Sequence, residues 1–386
     1  MNSVFLSPHF PPNFDTFALR LRECGANVLG VADQPYESLS PLLKHSLTEY
    51  YYVSDMHDYD QLVRALGYFT HKYGKLDHID SHSEYWLETE AKLRTDFNID
   101  GIKTGEIETI KCKSKMKEIF RSAGLSPARG AVCRDAESFW KFVSEVGYPV
   151  VAKPDNGVGA AATFKIENRT DAERFIVEKP PLDYIVEEFV KGDIVTFDGL
   201  VDRDGDLVFS SSLRYSSGIM DIVNQDDDLF YWAVRTIEPE LETLGRAVLK
   251  AFDLKARFFH FEFFKTESGR IVPLEVNMRP PGGLTLNMFN YMFDFDACRV
   301  WSEMIVQGKK ANYALRPYFA IYVGRKDRMN YKLNHLQVVE RYKELLVHDE
   351  RIQEVFARVI GNHGYILRDQ ALEPLLESAR QMLSRS

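Results

Sequence analysis

A chain of 386 residues exceeds one comfortable hydrophobic core and should divide into two or three compact units. Its 45% apolar and 27% charged residues fit a soluble globular protein, and a net charge of −9 gives no electrostatic reason to expect nucleic acid or an anionic membrane as main partner. Cys24, Cys112, Cys133 and Cys298 lack Cys-x-x-Cys spacing, so they signal neither a zinc site nor a disulfide framework; with no basic-then-apolar leader and no apolar run of ~18 residues, the expected location is the cytoplasm.

Strand–helix alternation opens the chain. Val4–Ser7 reads as a strand, Phe14–Cys24 as a helix stopped by Gly25, and Asn27–Val31 as a second strand. Tyr51–Val53, a helix over Tyr59–Tyr73, a strand over Leu76–Asp80 and a helix over Glu84–Phe97 continue the pattern. Such alternation predicts a parallel sheet with ligands near the strand C-termini, and this unit is placed at residues 1–108. His82 and Glu84, just past the strand, face either a ligand or solvent. A helix is expected from Thr109 to Ala123, stopped by Gly124, with the basic cluster Lys111–Lys117 as its start rather than a nucleic-acid patch.

The strand Ala128–Val132, the helix Ala136–Val146 and the strand Pro149–Lys153 follow. Two hairpin-like groups are expected next: Val150–Lys153 with Ala161–Lys165, then Tyr184–Phe189 with Ile194–Val201 and Leu207–Leu213. A helix over Glu238–Phe252 leads to a hairpin, and another helix ends near Gly308. Residues 309–386, with strands at Tyr318–Tyr322 and Gly364–Leu367, read as a smaller closing unit. Phe289–Phe293 reads as core, and no internal repeat is present.

The hairpin carries the chemistry. Thr266-Glu267-Ser268-Gly269 reads as a turn; with Thr266 opposite Gly269, Glu262 lies opposite Pro273 and diagonal to Glu275. Diagonal neighbours stand ~7–8 Å apart, a gap two Glu side chains can close around a hard cation. Alternation puts Asn277 on the same face, Arg279 just beyond the strand, and Phe261, Phe263, Leu274 and Val276 on the other face. Few oxygen ligands, completed by phosphates, suit magnesium. Upstream, Lys153 precedes a small-residue loop holding Gly157 and Gly159, whose backbone N–H groups could approach phosphate; no Gly-Lys-Ser/Thr follows, so it is not a Walker loop. Tyr184–Gly192 begins apolar and turns polar at Glu187, as a strand running into an exposed linker does.

In this order the pieces resemble the ATP-grasp superfamily, from the N-terminal unit to about Gly308. The resemblance implies an α/β fold, α+β in the grasp lobes. It has a Rossmann-like pre-ATP-grasp domain at 1–108 and an ATP-grasp domain at 109–308, followed by the small unit at 309–386. Within 109–308 a linker helix leads to a lid lobe at about 126–190 and a catalytic lobe at about 191–308. It implies ATP with magnesium, manganese being a substitute. Lys113 would be the first basic residue, Lys153 would hold the α- and β-phosphates, and the loop of Gly157 and Gly159 would close over them. Glu187, Glu188, Phe189 and Val190 would form the adenine hinge, Glu262, Glu275 and Asn277 would hold the metal, and Arg279 would stabilise the transferred phosphoryl group.

Softer cues point to the carboxylate–amine ligases: His260-Phe261-Glu262-Phe263-Phe264, Arg279-Pro280-Pro281-Gly282-Gly283 and Glu84-Tyr85-Trp86-Leu87-Glu88. That group implies small-molecule carboxylate and amine substrates, an acyl-phosphate route releasing ADP and phosphate, and a homodimer. Ile194 stands where the family often places a ribose-binding Glu, with Asp193 or Asp198 as replacements. Arg214, leading into Ser216-Ser217-Gly218, is the candidate second anion contact, ahead of Arg257. Two alternatives stand beside this reading: another ATP-grasp ligase of the purine-synthesis or carbamoyl-phosphate kind, and a nucleotide-binding regulatory module without turnover.

Overall fold

The computed structural model describes residues 1–157, 162–216 and 227–385. The opening alternation builds four parallel strands, β1 (Asn2–Leu6), β2 (Asn27–Ala32), β3 (Glu49–Tyr52) and β4 (His78–Asp80), in the order β3-β2-β1-β4. Every residue of β1 is buried, as a parallel strand covered on both faces requires.

A second sheet is antiparallel: β5 (Gly130–Cys133), β6 (Val150–Pro154), β7 (Phe164–Ile166) and β8 (Tyr184–Glu188), in the order β5-β8-β6-β7. Its helices, Ala136–Val146 and Arg169–Glu178, pack Phe139, Phe142, Ala172 and Phe175 onto Val150, Ala152, Tyr184 and Val186. Alternation therefore turns Lys153 and Glu187 to the opposite face.

The large sheet has nine strands. They are β9 (Gly192–Val201), β10 (Leu207–Ser211), β11 (Leu213–Tyr215), β12 (Leu229–Ala233), β13 (Arg257–Thr266), β14 (Ile271–Asn277), β15 (Phe319–Arg325), β16 (Leu346–Arg351) and β17 (His363–Asp369). Their path is β14-β13-β9-β11-β12-β15-β17-β16, with β10 paired to β9. One face packs Val195, Phe197, Phe259, Phe261 and Phe263 on the helix Pro239–Ala251. The approach is close enough that a Cβ at Gly245 would stand 2.2 Å from Phe197 Cδ1. The other face carries the polar residues described below.

Three expectations need correction. Tyr184–Phe189 does not pair with Ile194–Val201: β8 is internal to the small sheet, between β5 and β6, while β9 runs beside β13. Residues 309–386 build no separate sheet, because β15, β17 and β16 extend the large one and β15 is buried over Ala320–Arg325, cover a small isolated unit would not supply. The helix over Thr109–Ala123 is two helices, Ile107–Lys111 and Lys113–Ser122, broken at Cys112, whose backbone is extended (φ −93°, ψ 118°) and bridges to Asn156.

Candidate active site

The carboxylate hairpin sets the geometry. Its turn is one residue longer than the sequence suggests, since the Thr266 amide donates to the Arg270 carbonyl at 2.9 Å. A bulge at Leu274 adds a second shift, Phe263 pairing with Pro273 but Glu262 with Glu275. Two single-residue shifts restore the side-chain parity, so the two carboxylates stay on one face and become directly opposed rather than diagonal. Asn277 stands opposite His260 on that face, and Phe261 and Val276 are buried on the other.

β9 contributes the next rank. Asp198 lies opposite His260 and Thr196 opposite Glu262. The His260 ring spans Asp198 Oδ1 (Nδ1, 2.5 Å) and Glu262 Oε1 (Nε2, 3.1 Å), while Thr196 donates to Asp198. Burial would lower the His260 pKa, but the two carboxylates outweigh it and raise it to about 9. Burial likewise pushes Glu262 upward, yet its bond to His260, with Arg279 and Lys153 nearby, holds it below the usual carboxylate range. Glu275 is shifted the other way: burial, with Glu262 and Glu84 acting in the same sense, outweighs Lys113 and Lys153. Two opposed, half-buried carboxylates and a buried amide on one face make a donor set of oxygens that fits a hard divalent cation.

Lys113 Nζ stands 3.5 Å from Glu275 Oε1 and donates to the Gly157 carbonyl at 3.2 Å. The break at Cys112 fixes its place: the Lys113 amide donates to the Asp155 carbonyl, and Ser114 donates from N and Oγ to the Asp155 carboxylate, both at 2.7 Å. Lys153 Nζ pairs with Glu187 Oε2 at 3.0 Å, and Glu187 Oε1 lies 3.0 Å from Lys117 Nζ. Glu187 is thus a buried carboxylate between two lysines, not a hinge group facing a base. Lys117 was not among the expected site residues; its buried face, one helical turn from Lys113, is the signal that would have found it.

The N-terminal unit enters the site through Glu84. Its Oε1 accepts from Lys111 at 3.0 Å, whereas Oε2, 3.7 Å from Arg279 Nε, is buried without a hydrogen-bond partner among the described residues. A buried carboxylate oxygen in that state is an open acceptor aimed at the reaction centre. His82 is packed instead: it stacks on Phe17 at 3.8 Å and meets Trp301 edge-on at 4.6 Å. Burial depresses its pKa to about 4. Arg257 is not an anion contact for a ligand; it donates to Glu90 (2.9 Å), Asp80 (3.3 Å) and the Met278 carbonyl (2.6 Å), clamping the N-terminal unit to the end of β14.

Two more expectations fail for one reason, strand alternation. Arg214 lies opposite Val195 on the far face and pairs with Glu238 at 3.1 Å, which also takes Lys265. Its neighbour Tyr215 belongs to the site: burial raises its pKa well above the usual value, with Glu262 and Asp198 adding to the shift. Asp193 stands opposite Lys265 in the strand register on that far face and is exposed, whereas Ile194 faces the site; Asp198, engaged by His260 and Thr196, is not a free ribose acceptor. At the hinge, the Glu188 amide bonds Arg129 O at 2.9 Å and the Phe189 amide bonds Pro149 O at 3.3 Å. The Glu188 carboxylate holds Arg129 at 2.6 Å, and the Val190 amide has no partner among the described residues. Gly157 offers its carbonyl to Lys113; Gly159 lies outside the described residues.

Comparison with known proteins agrees with this layout. The model of the ATP-grasp domain matches residues 146–288. An L-arginine-specific L-amino acid ligase of Bacillus subtilis is 25% identical over 272 residues, covering 66% of this chain and 63% of the relative. The chain thus spans less than two thirds of the length of the curated relatives it matches. An L-amino acid ligase from Bacillus licheniformis superposes with a TM-score of 0.74 at 14% identity, over 99% of this chain and 96% of that one. N5-carboxyaminoimidazole synthetase from Staphylococcus aureus, complexed with ADP, does so with 0.76 at 13% identity, over 99% and 97%. The structural likenesses establish a shared fold, and the family match identifies an ATP-grasp domain at residues 146–288 of this chain.

Proposed function

We propose that the chain is an ATP-dependent ligase joining a small-molecule carboxylate to an amine, with release of ADP and phosphate. The observation that carries this reading is the convergence of Glu262, Glu275 and Asn277 with Lys113, Lys153 and Arg279, drawn from three parts of the chain. A carboxylate resists attack by an amine because its leaving group would be an oxide; as an acyl phosphate it loses phosphate instead. Bound ATP supplies the phosphoryl group, and magnesium (manganese as substitute) neutralises its oxygens.

The residues position and compensate charge. Glu262, steadied by protonated His260, and Glu275 are set to hold the metal with Asn277. Lys153, held by Glu187 on the lid lobe, takes phosphate oxygens, and Arg279, braced by Glu84, faces the transferred group. The Val190 amide is available to an adenine edge. A sugar-phosphate co-substrate would need a further cationic cradle, yet Arg94 and Lys111 near the site are already paired with Glu90 and Glu84. A domain limit at 108, a homodimer through the N-terminal unit and a cytoplasmic location complete the proposal; no helix among the described residues is long and apolar enough to cross a membrane.

The test is a screen of amino acids and other small carboxylates, each with and without an amine, in magnesium and ATP. ADP and AMP are followed, and the carboxylate oxygen is isotopically labelled. The label should appear in the released phosphate, because that oxygen leaves with it. Release of AMP, or of unlabelled phosphate, refutes the route.

A further inference from the structure

The far edge of the large sheet holds a second cluster of ligating groups. His335 opens the helix His335–Arg341, Asp349 lies on β16 and His363 begins β17. One ligand atom from each comes within 4.8 Å of the others. Four strands, β9, β11, β12 and β15, separate β17 from the carboxylate strand β13, so the two clusters are distinct.

The rings are arranged rather than scattered. The His335 and His363 centroids are 4.6 Å apart, and His363 stacks on Tyr365 at 4.6 Å with an interplanar angle of 20°. His335 Nδ1 meets the Tyr365 hydroxyl at 3.0 Å, which leaves Nε2 as its free ligand atom. Metal-bound imidazoles commonly use their second nitrogen in this way, an oxygen fixing tautomer and ring orientation. His363 Nε2 lies 2.9 Å from Asp349 Oδ1. Two cations flank His363 in register: Arg351 is held by both oxygens of Asp327 at 2.7 and 2.6 Å, and Arg325 donates to the Leu333 carbonyl, which offsets their repulsion of an incoming ion.

We propose that His335, Asp349 and His363 bind one divalent transition metal of the zinc class, clipping the first turn of the helix His335–Arg341 onto β16 and β17. Two imidazoles and one carboxylate, with water completing the shell, suit zinc, nickel or copper and not magnesium. Zinc–nitrogen bonds of ~2.0–2.1 Å require the three groups to draw closer, a change open to the exposed His335 side chain. The bland account, a surface Asp349–His363 hydrogen bond, gives His335 and Tyr365 no part in binding metal, and so the two accounts separate.

The test titrates zinc alone, by calorimetry, into the full chain with magnesium saturating the hard-oxygen site, and repeats it with cobalt to read its visible absorption. About one equivalent should bind, with cobalt absorption of an imidazole-ligated ion. His335→Ala and His363→Ala should each weaken binding, and Tyr365→Phe, which keeps the stacked ring, should weaken it by about tenfold or more. Zinc should also raise the thermal midpoint of the parent chain and not that of His335→Ala. If His363→Ala does not fold, His335→Ala, an exposed position, still decides. No zinc binding at micromolar concentrations, or equal binding by parent and His335→Ala, overturns the proposal.

Discussion

Replacing Arg257 by Met should unfasten the N-terminal unit from the carboxylate hairpin. Arg257 and Arg94 lie buried against Glu90 and Asp80, a cluster of two cations and two anions. Arg257 stands 2.9 Å from Glu90 and 3.3 Å from Asp80, and Arg94 stands 2.8 Å and 3.9 Å from the same pair. Met fills the volume but leaves two buried carboxylates with one guanidinium, an uncompensated charge whose cost is ~3–5 kcal/mol. The Met278 carbonyl loses its donor as well, and that residue sits between Asn277 and Arg279. Urea unfolding followed by tryptophan fluorescence and circular dichroism, with equal slopes for parent and variant, measures the loss. Acid supplies a second readout. Burial opposes ionisation of Asp80, but Arg257 with His82 and Arg94 holds its pKa below the usual value. A depressed folded-state pKa gives stability that is complete above the unfolded value of ~3.9 and disappears as pH falls through the folded one. The variant should therefore show less of this acid dependence. A loss under ~1 kcal/mol, together with an unchanged acid profile, would show that the cluster does not hold the units together.

Glu275→Gln keeps shape but removes the charge opposite Glu262, and steady-state turnover should fall by about 100-fold, ~3 kcal/mol of transition-state stabilisation; unchanged turnover sinks the metal assignment. Lys153→Met should weaken nucleotide binding by ~10- to 100-fold in calorimetry, the worth of one charged hydrogen bond, and equal affinity would move the phosphate contact elsewhere. Arg214→Ala, on the far face of the sheet and paired with Glu238, should leave turnover within about twofold, so a large loss would show that the arginine swings to the site in turnover.

The carboxylate face is legible in the sequence because alternation survives a register error of two: the expected turn and pairing both differ from the observed ones in detail, yet they set Glu262 and Glu275 on one face. A single shift would have lost them. His260 and Asp198 were less accessible. His260 could be seen beside Glu262, but nothing in the sequence says that β9 lies against β13, and the expected pairing of β9 with Tyr184–Phe189 hid Asp198 from it. Arg214 shows the limit most plainly: its strand is three residues long, and one step of phase exchanges Arg214 for Tyr215. Glu84 stands out in the sequence just past a strand end, but its open oxygen exists only once Lys111 and Arg279 meet across the fold.

The order of the large sheet also governs how the chain is made. β12 pairs with β15 through Leu229–Gly324, Tyr231–Tyr322 and Ala233–Ala320, nearly a hundred residues apart in synthesis. While the ribosome is still adding the intervening chain, β12 presents an unpaired row of amide and carbonyl groups. The waits are shorter in the lid sheet, where Gly130 meets Glu187, and in the parallel sheet, where Ser3 meets His78. The large sheet is thus the last part to close, and a ribosome stalled before Phe319 leaves a nascent chain whose open edge can recruit a chaperone or pair with another chain.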